Sequence, residues 1–202
     1  MTPDEFDNVL IEWAANVRAP LALEAEKYTQ AMTFNHTNRL RALGVQPFEA
    51  IADCVIGVAK VETMIGDMWQ PIESGREFLT VAVREGSATT DIVAFDPRDA
   101  TRWFLRKRGA WALGFDAIEQ ARGSFVKSET MLDLHMTPLD WLRADRTGVC
   151  VIDWTHEARA TLLDCPHIRV FSKRAELALK SVLYRPARVP QIIVKGERQR
   201  AA

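Results

Sequence analysis

Gly148-Val149-Cys150-Val151-Ile152-Asp153 is followed by His156 to Leu163 and then by His167-Ile168-Arg169-Val170-Phe171. The first and third stretches are short runs rich in β-branched residues, the signature of strands covered on both faces. Between them, residues 156–163 have helix length and composition. Ser172 then stands at the N-cap position of a last helix, 173–183, where its hydroxyl can accept from a free backbone N–H. Strand, helix, strand, helix in this order predicts a βαβα unit with a parallel strand pair joined by a right-handed crossover. Upstream, Thr137-Pro138-Leu139-Asp140 marks a helix start, with Thr137 as cap, Pro138 at the first helical position and Asp140 at the reach-back position.

Further towards the N-terminus the pattern changes. Cys54 to Glu62 is rich in β-branched residues and reads as a strand, as do Phe78 to Arg84 and Asp91 to Phe95. Ile65-Gly66-Asp67, Glu73-Ser74-Gly75-Arg76 and residues 86–90 separate them as turns. Short strands with short connections predict an antiparallel meander. Asp96-Pro97 then reads as a helix start, with the helix running to Arg108 and Gly109 ending it. Residues 3–19 and a stretch from Leu21 to Gly44 carry helical spacing, broken at Pro20, and Pro47 to Asp53 reads as a short helix. The expected fold is therefore α+β: N-terminal helices over 1–46, a central β-meander with a basic helix over 47–135, and the C-terminal βαβα unit with a basic tail over 136–202.

Composition bounds the function. The 202 residues are 48% hydrophobic and 26% charged, an ordinary globular balance. No apolar run is long enough to span a bilayer. The acidic start Met1-Thr2-Pro3-Asp4-Glu5 lacks a secretory pattern, which leads us to expect a cytoplasmic protein without membrane association. Three cysteines, Cys54, Cys150 and Cys165, are too dispersed for a metal knuckle and read as reduced, buried thiols. His36, His135, His156 and His167 have no ligand spacing, so neither a metal nor a cofactor is expected.

The net charge of −1 conceals a step. Residues 1–97 carry 7 Lys/Arg against 15 Asp/Glu, a net of −8, while residues 98–202 carry 19 against 12, a net of +7. Arg98, Arg102 and Arg106, four apart, would share a helix face, with Lys107, Arg108 and Trp103 beside them. Guanidiniums and flat rings together are what phosphates and bases require. A second candidate site lies at the ends of the C-terminal strands, where open α/β sheets bind ligands. There Asp153, His156 and Lys173 would be the polar groups, although Asp153 and Thr155 are each equally suited to cap the helix between them.

Gly57-Val58-Ala59-Lys60-Val61, Asp91 to Pro97, Thr137 to Arg143 and Val149 to Trp154 together resemble uncharacterised proteins of bacterial prophages and mobile elements. The C-terminal alternation is also similar in pattern to Toprim domains. That likeness implies magnesium held by a Glu after one strand and an Asp-x-Asp after another. Asp153 and Ser172-Lys173-Arg174 stand at the equivalent places, so the acidic set is missing. The leading expectation is a non-catalytic accessory protein binding DNA, RNA or a nucleic-acid-processing partner through its basic half. The alternatives are an enzyme at Asp153, His156 and Lys173, or an inhibitor or scaffold using the acidic half. Pairing of two copies through the N-terminal helices is a further expectation.

Overall fold

The computed structural model describes residues 20–123 and 131–184. The helix expected over 3–19 and the extended tail expected beyond 184 lie outside the described residues.

Two sheets share one α+β body. Helices α1 (Leu21–Gln30), α2 (Phe34–Ala42) and α3 (Pro47–Ala52) precede strands β1 (Ile56–Met64), β2 (Met68–Pro71), β3 (Arg76–Glu85), β4 (Ala88–Phe95) and β5 (Trp103–Leu105). The chain continues through β6 (Ala112–Leu113), α4 (Phe115–Gly123), β7 (Leu132–His135), α5 (Pro138–Arg143), β8 (Val149–Val151), α6 (His156–Leu163), β9 (Ile168–Arg169) and α7 (Lys173–Leu183).

The helix read from Leu21 to Gly44 is two helices. Met32 and Thr33 interrupt it, and His36 Nδ1 accepts the Thr33 N–H at 3.0 Å, restarting the helix as α2. Gly44, at φ +84°, ends it in the left-handed region that glycine enters without a Cβ penalty.

The meander closes on itself. β1–β2, β1–β3, β3–β4 and β4–β5 are antiparallel, and β2 meets β5 in parallel through Met68 and Leu105, giving a barrel in the order β1-β2-β5-β4-β3. Closure leaves no free edge. A register shift between Val83 and Arg84 supplies the local bend such curvature needs. One face of every strand feeds a single cluster: Ala59 and Val61, Trp69, Phe78 and Ala82, Ile92 and Ala94, and Phe104, joined by Ala25 and Tyr28 of α1. α1 approaches so closely at Gly57 that a Cβ there would sit 2.6 Å from the Tyr28 backbone.

The opposite barrel face packs on everything else. Val58, Leu79, Val81, Val93, Phe95 and Leu105 form one core with Leu40, Val45 and Ala50 from the α2–α3 region. The same core takes in Leu139, Trp141 and Leu142 of α5 and Leu113, Cys150 and Ile152 of the second sheet. That sheet runs β6-β8-β7-β9. β8 and β9 are not neighbours: β7 lies between them, parallel to both, while β6 is antiparallel to β8. The parallel geometry is as expected, but each strand pairs with β7, whose Leu132 and Leu134 are buried at the sheet centre. β6 and β7 consequently belong with the C-terminal elements, not with the meander.

The basic helix over 97–108 does not form. Asp96 Oδ1 accepts the Arg98 N–H at 3.0 Å in a side-chain turn, and its carboxylate is held by Arg76. Turns occupy 97–102, and Trp103–Leu105 joins the barrel as β5. Local aspartate–backbone bonding competes with helix here, and the aromatic, β-prone Trp103-Phe104 pair gains more as the strand closing the barrel. Among the described residues no helix is long and apolar enough to cross a membrane.

Candidate nucleic-acid interface

Without a helix, the arginines of 98–108 disperse. Arg106 is buried: its Nε and Nη2 donate to Glu24 Oε2 and Oε1 at 3.2 and 3.0 Å, and its guanidinium lies 5.6 Å from the centre of the Trp69 ring. It locks α1 to the chain leaving β5 and is removed from any binding surface. Arg98 faces a cavity beside α2. Arg102, Trp103 and Arg108 remain together.

They do so because of Asp91. This carboxylate is fully buried and accepts four backbone N–H groups: Ile92 at 2.7 Å, Arg106 and Lys107 at 3.0 Å each, and Gly109 at 2.8 Å. The chain after β5 is wound around one side chain, which turns Arg108 outward with φ +54°. Burial pushes the Asp91 carboxyl above its ordinary pKa, and the four donors oppose that rise. Lys107, half-buried in this turn, contributes its backbone to the anchor.

A groove of about 360 Å³ runs between this segment and the carboxyl end of β8. Its walls are Arg102, Trp103 and Arg108 on one side, Ile152, Asp153 and Trp154 on the other, with Asp67 from the β1–β2 turn. The groove is built into the fold. Trp103 Nε1 donates to the Ile152 carbonyl at 2.8 Å, bonding the two walls, and the Leu105 N–H donates to the Asp67 carbonyl at 2.9 Å, bringing the hairpin turn alongside. Arg102, Trp103 and Arg108 of the basic segment and Asp153 at the β8 end thus share one surface.

The Asp153 side chain does not cap α6. Thr155 Oγ1 accepts the Ala158 N–H at 3.0 Å and fills that role, so Asp153 is free to face the groove. Arg102 stacks over Phe104, 5.2 Å from the ring centre. Neither Arg102 nor Arg108 has a carboxylate at ion-pair distance among the described residues.

His156 and Lys173 are elsewhere. His156 is exposed on the first turn of α6, and Lys173 Nζ pairs with Glu176 Oε2 at 2.7 Å on α7, beside a different groove. Because β7 separates β8 from β9, the strand ends that would carry Asp153 and Lys173 stand two strand spacings apart, about 10 Å. The structure does not bring Asp153, His156 and Lys173 together. Among the described residues no three His, Cys, Asp or Glu side chains form a metal-ligand group.

Asp67 and Trp154 were not singled out as groove residues from the sequence. Asp67 read only as a turn residue, and nothing local indicated that the β1–β2 turn reaches β5. Trp154, directly after Asp153, was the available signal. Comparison with family models, curated proteins and solved structures finds no match for this chain.

Proposed function

We propose that this protein is a non-catalytic nucleic-acid-binding accessory protein, of the kind carried by mobile elements, and that it takes a single-stranded segment in the groove between β5 and β8. The observation supporting this reading is the convergence on one concave surface of two indoles, two carboxylates and two guanidiniums that have no ion pair among the described residues. Arg102 and Arg108 supply charge for phosphates. Trp103 and Trp154 present partly exposed ring surface against which a base can stack. Asp67 and Asp153 can accept from exocyclic base amines, the polarity a carboxylate reads on cytosine. A volume of about 360 Å³ suits one nucleotide rather than a duplex groove.

The test is fluorescence anisotropy of labelled DNA and RNA oligonucleotides, single- and double-stranded, across a salt series. Single strands should bind with a log–log salt slope near −1.4, roughly −0.7 for each of two phosphates. Arg102→Ala should flatten that slope by about 0.7. Absent or salt-insensitive binding would overturn the reading. Co-purification of a protein partner with residues 1–97 would move the function to the acidic half.

A further inference from the structure

A second cavity, of about 220 Å³, opens between α2 and the barrel. Its floor is apolar, made by Leu40, Leu43, Val58 and Leu79, and its rim carries His36, Arg39, Arg76 and Arg98 with the carboxylates of Glu77 and Asp96. The charges on this rim can be assigned one by one. His36 Nδ1 accepts the Thr33 N–H, and its Nε2 faces Glu77 Oε1 at 3.2 Å. Arg76 is paired with Asp96. Arg39 reaches the same Glu77 oxygen only at 4.0 Å. Arg98 has no ion pair among the described residues; its backbone N–H, not its guanidinium, meets Asp96. Three guanidiniums against two carboxylates leave one positive charge over an apolar floor.

We infer that this cavity is a binding site for a small organic monoanion with an apolar body, a monocarboxylate whose head group lies between Arg98 and Arg39. One negative charge completes the rim, and a second would face Glu77 and Asp96 unopposed. The hydrocarbon part covers Leu40, Leu43, Val58 and Leu79. A planar carboxylate matches the fork of a guanidinium donor. The site is independent of the groove between β5 and β8.

The experiment is calorimetric titration of the full chain with three probes. Octanoate carries one charge and an apolar chain, octanol carries the chain alone, and succinate carries two charges and little apolar surface. Octanoate should saturate one site, with octanol at least about tenfold weaker, the difference one lost charge-assisted hydrogen bond makes, and succinate at least about tenfold weaker because it leaves the apolar floor uncovered. Arg98→Ala and Arg39→Ala, both at exposed positions, should each weaken octanoate by roughly tenfold or more while leaving the melting temperature unchanged. Failure of octanoate to saturate, equal binding of succinate or octanol, or octanoate affinity unaltered in both variants would each overturn the inference.

Discussion

Asp91 does more for the interface than any residue that lines it. Its carboxylate satisfies the N–H groups of Arg106, Lys107 and Gly109 at once. Replacing it by alanine would remove the acceptor of the Lys107 and Gly109 N–H groups, at about 1–3 kcal/mol for each such bond lost, while the Arg106 N–H keeps the Ile92 carbonyl at 3.0 Å. We expect Asp91→Ala to lose at least about 2 kcal/mol in urea unfolding, with Asp91→Asn falling between it and the native protein. In whatever fraction stays folded, oligonucleotide affinity should drop, because Arg108 is no longer held facing Arg102. The Glu24–Arg106 pair behaves differently. Glu24→Gln or Arg106→Ala strands a buried charge or its complement and should cost about 3–5 kcal/mol. The double change to Leu and Met should recover most of that loss, and comparison of the single and double variants by denaturant midpoint measures it.

At the scale of elements, β7 organises the second sheet, and its link to β9 includes a side-chain clamp. Arg169 Nε and Nη2 donate to Asp133 Oδ1 and Oδ2 at 2.5 and 2.6 Å, and this holds the Asp133 carboxyl below its ordinary pKa. A lowered folded-state pKa means stability that is present above the unfolded value, about 4, and is lost as pH falls through the folded one. The pair is partly exposed, so solvent screening keeps its contribution small. The protection factors of the β9 amides, exchange rates corrected for the intrinsic effect of pH, should fall on acidification below about pH 4, and Arg169→Ala should remove that dependence.

The same scale shows what was legible in the sequence. β1, β3 and β4 announce themselves by runs of β-branched and apolar residues, as strands covered on both faces do. The caps Thr137, Thr155 and Ser172 act on N–H groups three residues away, a distance a linear reading spans. β5 was misread as helix because its three residues are strand only through β4 and β2, and the four-residue spacing of Arg98, Arg102 and Arg106 imitated a helical face. β7 was missed for a similar reason: two buried leucines make a strand only when β8 and β9 flank them. Half of the groove was therefore visible, Arg102, Trp103, Arg108 and Asp153. The contact that makes it one site, Trp103 to Ile152, spans 49 residues and leaves no local trace.

For the whole molecule, part of the charge step between the two halves of the chain is met by ion pairs across it. Glu24 meets Arg106 in the core, and Asp53 meets Arg146 at 2.8 Å on the surface, each an acidic-half residue paired with one from the basic half. Arg98, Arg102 and Arg108, from the basic half, have no carboxylate at ion-pair distance among the described residues. Trp103→Phe tests the architecture directly. It keeps the ring and removes the donor that joins the walls, and we expect a stability loss of about 1–2 kcal/mol with oligonucleotide binding reduced by a larger factor than that loss alone explains. Thermal unfolding and anisotropy on the same variant separate the two.

The Glu24–Arg106 pair also settles how the barrel is threaded. β5 touches β4 over three residues and β2 through one, too little pairing to fix alignment by backbone bonds alone. A slip of one position would turn Phe104 away from the inner cluster and carry Arg106 beyond the reach of Glu24, leaving a buried carboxylate alone. Every near-miss alignment thus pays a penalty the correct one avoids. The pair acts as a proofreader of strand register, and its removal should show first as heterogeneity among closed forms, before any loss of the fold.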